Sequence, residues 1–90
     1  MATETRLEWV EVSSDSMSRD SRKGRYLWVA NEMSGHATVL PPSVSIREAL
    51  ANYADDHVIG GARQKVTVTY QLWQDGEISV SGKHTFEAEH

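Results

Sequence analysis

The stretch from Lys65 to Glu87 constrains the fold more than any other. Val66, Val68, Tyr70 and Leu72 alternate with Thr67, Thr69, Gln71 and Trp73. That is the two-residue period of a strand with one buried face. Gln74-Asp75-Gly76 interrupts the pattern, and Glu77–Glu87 returns as a second strand. The two form an antiparallel hairpin, and hydrophobic patterning predicts its register, because a one-residue slip turns every side chain over. A two-residue Asp75-Gly76 loop sets Leu72 opposite Ser79 and Tyr70 opposite Ser81. A three-residue loop sets Leu72 opposite Ile78, Tyr70 opposite Val80, Val68 opposite Gly82 and Val66 opposite His84. It also puts Gly76 where a left-handed residue is needed. The expectation is therefore a three-residue loop with a bulge at Gly76.

A helix precedes the hairpin. Ser45-Ile46-Arg47-Glu48 fits the capping box, in which Ser and Glu satisfy backbone N–H groups that the first turn leaves unpaired. Ile46, Ala49, Leu50, Tyr53, Ala54 and Val58 form one apolar stripe at helical spacing. Gly60-Gly61 supplies a left-handed stop. Upstream, Pro41-Pro42 ends a sheet ladder, since proline donates no N–H. Leu7–Val12, Arg25–Asn31 and Ala37–Leu40 are rich in strand formers, with a turn signal over Asn31–Gly35. Residues 13–24, serine-rich and basic, have no periodicity and read as a mobile loop. Residues 1–5 read as a frayed tail.

The element order is thus β-β-β-α-β-β. It predicts a single small α+β domain over 1–90, an antiparallel sheet of four to five strands with one helix on one face. Ninety residues leave no room for a second core. There is no cysteine, which removes disulfides, Cys-zinc sites and thiol chemistry, and suits a cytoplasmic setting better than export. The longest apolar run, Tyr26–Ala30, is far below the ~20 residues that span a bilayer. His36, His57, His84 and His90 have no metal-ligand spacing. No nucleophile elbow is present, and Gly76–His84 departs from a phosphate loop in spacing and context. The chain is therefore read as non-enzymatic, without cofactor or metal.

More aromatic surface exists than one helix can cover. In Tyr26-Leu27-Trp28-Val29-Ala30, both strand parities are apolar, and Trp73 lies opposite the core parity of its hairpin. One reading leaves Tyr26, Trp28 and Trp73 as anchors on an open sheet face, since aromatic residues favour interface centres. The other folds the N-terminal strand or the long loop over these rings. Charge is polarised as well. Arg19, Arg22, Lys23 and Arg25 with Asp20 give that loop +3, against −7 for the rest of a chain of net −4. Asp55 and Asp56 place acid at the negative end of the helix, where a basic partner would offset them.

Three functions fit. The first is a protein that binds a macromolecular partner through the open face, with Tyr26, Trp28 and Trp73 as anchors and Asp55 and Asp56 selecting the partner by charge. Compositional analogy extends this to a small inhibitor of a host nucleic-acid enzyme, of the kind phages and mobile elements encode. The second is a nucleic-acid-binding protein in which Arg19, Arg22, Lys23 and Arg25 contact phosphates. The third is a structural homodimer.

Overall fold

The computed structural model describes residues 7–19, 23–32, 34–57 and 65–87, except the side chains of Arg19, Asp55, Asp56, His57, Lys65 and Glu87. The tail at 1–5, Arg22 and the Gly60-Gly61 stop lie outside the described residues. The elements in chain order are β1 (Val10–Glu11), α1 (Ser14–Arg19), β2 (Arg25–Ala30), β3 (Gly35–Val39), α2 (Ile46–His57), β4 (Lys65–Gln74) and β5 (Glu77–Glu87). The strands form one sheet in the order β1-β3-β2-β4-β5, every neighbouring pair antiparallel. The α+β class holds, with one helix more than the sequence pattern predicts.

α2 begins where the capping box places it. The Glu48 N–H donates to Ser45 Oγ at 3.1 Å, and Ser45 Oγ in turn donates to Glu48 Oε1 at 3.2 Å. Its stripe buries Ala49, Leu50 and Tyr53 against Leu27, Val29, Val68 and Leu72 of the sheet. Leu7, Leu40 and Val44 close the margins of this core. Each large side chain so buried contributes roughly 1.5–3 kcal/mol before the entropy of ordering it is subtracted.

The hairpin register differs from the sequence expectation. The turn is the two-residue one, with Asp75 at φ 52° and Gly76 at φ 85°, and Gln74 faces Glu77. Both turn residues are left-handed, the geometry that matches the twist of paired strands. Trp73 then pairs with Ile78 but Leu72 pairs with Val80, so Ser79 is an extra residue. This bulge reverses the parity of β5 and sets Val80, Gly82, His84 and Phe86 opposite Leu72, Tyr70, Val68 and Val66, each two residues beyond the expected partner. Patterning rejects a two-residue loop only if both strands are regular, and a bulge lifts that condition.

The stretch 13–24 holds α1 instead of a mobile loop throughout. Ser13 caps it, accepting the Ser16 N–H on Oγ at 3.2 Å and the Met17 N–H on its carbonyl at 3.1 Å. Six residues are under two turns, too short for a 3.6-residue period to show in sequence. The first strand is likewise shorter than Leu7–Val12, and Trp9 lies just before it. Its indole Nε1–H donates to Asn52 Oδ1 of α2 at 2.9 Å, and its ring meets Tyr53 edge-on at 5.0 Å. Val10 and Glu11 pair with Ala37 and His36.

Candidate interaction face

The sheet face opposite α2 carries two cross-strand rows of side chains, apolar except at Gln71. In the first, Ile78 of β5, Trp73 of β4, Tyr26 of β2 and Val39 of β3 are successive register partners. In the second, Gln71, Trp28, Ala37 and Val10 run from β4 to β1. Paired residues share a face and touch, so each row is a continuous surface. The middle of both rows is covered. Met17 of α1, 2% exposed, packs with Trp28 (9%), Trp73 (7%) and Ala37, while Val12, Tyr26 and Ala30 adjoin them. The ends are open. Val10 and Val39 are 56% exposed and Ile78 is 49% exposed.

The tryptophans are therefore not bare, contrary to the open-face reading. The long loop folds over them by way of Met17. Their polar edges are satisfied too, Trp28 Nε1–H donating to the Val12 carbonyl at 3.1 Å and Trp73 Nε1–H to Gln71 Oε1 at 3.0 Å. Tyr26 remains partly exposed and borders an open cleft of about 670 Å³ with Leu7, Trp9, Val10, Val39 and Pro41.

The two halves of the predicted partner site do not meet. Asp55 and Asp56 fall in α2, on the other side of the sheet from Trp28 and Trp73. The described residues of the basic loop lie before β2 and at its start. Arg19 ends α1, Lys23 is exposed and Arg25 opens β2 opposite Gln74. Trp28 and Trp73 both lie under Met17. Among the described residues no three His, Asp or Glu side chains converge as metal ligands, and no helix is long and apolar enough to cross a membrane. Sequence reasoning missed Met17, Val10, Val39 and Ile78. A single large apolar residue in a serine-rich stretch was the available signal for Met17. The other three acquire meaning only from the strand order. Compared with known protein families, curated proteins and solved structures, the chain matches none.

Proposed function

We propose that this is a non-enzymatic interaction protein that binds a macromolecular partner through the sheet face opposite α2. The observation that carries it is the row Ile78–Trp73–Tyr26–Val39, apolar across four strands and exposed at both ends. Large apolar side chains gathered on one face mark contact surfaces more often than scattered ones do. Tyr26 and the covered tryptophans are the residue types that anchor such contacts. Lack of cysteine supports a cytoplasmic setting, and the small size supports an accessory or inhibitory role exerted by steric occlusion.

The test is site-specific photocrosslinking in cells. A photoreactive residue at Val39 or Ile78 captures a discrete macromolecule, and one at Ala51, exposed on α2, does not. Val39→Lys and Ile78→Lys remove the capture while leaving the melting temperature unchanged, because both side chains are already half in water. Identical patterns from all three positions would exclude this face as the binding surface.

A further inference from the structure

We propose that β5 is a self-docking edge, to which a second copy of this chain adds its own β5 antiparallel, with Thr85 on the two-fold axis. This edge is distinct from the face proposed above to bind a partner. The two ends of the sheet are built differently. β1 ends it with two residues, and shortness is one of the ways an edge is kept from pairing. β5 ends it with eleven residues, about twice the usual strand length. Among the described residues its one strand partner is β4. It has no proline and a single lysine, Lys83. Beyond the bulge at Ser79 its register with β4 is regular from Val80 to Glu87, and Ser81, Lys83 and Thr85 are exposed. Such a run offers its outer N–H and C=O groups to another strand.

The residues of β5 select a second copy as the occupant. For two sheets to join with both α2 helices on one side, opposed residues must share a face, so the two-fold axis falls on a residue. An axis on Lys83 opposes like charges. One on His84 leaves Lys83 opposite Thr85 and Gly82 opposite Phe86. An axis on Thr85 sets Lys83 opposite Glu87 and His84 opposite Phe86, each pair formed twice, so opposite charges meet across the seam. The aromatic pairs extend a contact the strand already makes, since His84 and Phe86 meet edge-on at 4.7 Å within one chain. On the other face, the two Thr85 side chains extend the Thr67–Thr85 hydroxyl contact of 3.0 Å into a row of four threonines. Each residue from 83 to 87 thus meets a complementary one in the copy, a match that no unrelated strand is bound to supply.

The test is the mass of the whole chain by light scattering from micromolar to millimolar concentration. A dimer forms, and Lys83→Glu or Glu87→Lys weakens it about ten-fold by opposing like charges. Combining the two reversals restores it, and circular dichroism checks that each variant is folded. Absence of cysteine allows a second readout. Opposed Cα atoms in such a seam lie roughly 4.5–5.5 Å apart, within disulfide reach, so mild oxidation links Thr85→Cys into a covalent dimer. The two copies of position 81 lie about 26 Å apart in this register, so Ser81→Cys links at least about ten-fold more slowly. A chain that stays monomeric throughout, a double reversal that fails to restore association, or equal linking at 85 and 81 overturns the proposal. Crosslinks from Val39, on a strand toward the other edge of the sheet, read the face and not this seam, so the two ideas fail separately.

Discussion

Gly24 and Asp75, 51 residues apart, hold each other by two hydrogen bonds: the Gly24 N–H donates to Asp75 Oδ1 and the Asp75 N–H donates to the Gly24 carbonyl, each at 2.9 Å. One residue thus does two things, since Asp75 also takes the left-handed turn position at φ 52°. Three substitutions separate the roles. Asp75→Asn keeps the acceptor and tolerates the left-handed backbone, so stability changes by less than about 0.5 kcal/mol. Asp75→Gly keeps the backbone and loses the acceptor, costing roughly 0.5–1 kcal/mol at this exposed site. Asp75→Ala loses both and costs about 1–2 kcal/mol. Urea melts of the four proteins rank them, and a costly Asp75→Asn would show that charge rather than geometry holds the clamp.

The cap of α2 predicts its own deficit. Ser45→Ala removes the acceptor for the Glu48 N–H and lowers stability by about 1 kcal/mol. Glu48→Ala costs less, because its carboxylate receives only the Ser45 hydroxyl at the exposed end of the helix. Thermal melts check both, and an inert Ser45→Ala would place the helix start elsewhere.

Tyr53 gives the fold an alkaline limit. Burial raises its hydroxyl above the ordinary 10.0, and the hydrogen bond from Asn31 offsets part of that by favouring the phenolate. The group keeps its proton more tightly folded than unfolded. Its contribution is therefore complete below pH 10.0 and is lost as pH rises through the raised value. Tyr53→Phe cannot ionise. It loses about 1 kcal/mol at neutral pH, because Asn31 Nδ2 gives up its 3.0 Å acceptor. Melting temperatures taken from about pH 8 to pH 11 should show the two proteins converging. Parallel curves would mean that Tyr53 does not carry the alkaline loss.

Two glycines predict opposite tolerance. A Cβ on Gly35 would lie 2.8 Å from Trp28 Cζ2 and 2.9 Å from the Val12 carbonyl oxygen. Backbone and a buried indole cannot both yield, so Gly35→Ala costs about 1–3 kcal/mol and shifts Trp28 emission. A Cβ on Gly82 would lie 2.7 Å from Tyr70 Oη. That ring is partly exposed beside the marginal strand β5 and can turn aside, so Gly82→Ala costs less than about 1 kcal/mol. Equal costs at the two positions would contradict the Trp28 packing.

Much of the architecture is legible in the chain because it rests on local rules. Ser45 and Glu48 announce α2 by spacing alone, and the alternation of Val66, Val68, Tyr70 and Leu72 announces β4. The candidate site was legible only in its central residues. Tyr26, Trp28 and Trp73 show up as aromatic surplus, but nothing local says that Trp73 adjoins Tyr26, or that Val39 and Ile78 finish the same row.

The sequence by itself determined the α+β class, the helix start and the alternation of β4, since each follows from contacts a few residues apart. Tertiary structure decided the bulge at Ser79, the folding of Met17 over the tryptophans and the separation of Asp55 and Asp56 from them. Those depend on strand order and on contacts between distant residues. A six-residue helix forms only when such a contact exists to hold it, so α1 could not be read before the surface beneath it was in place.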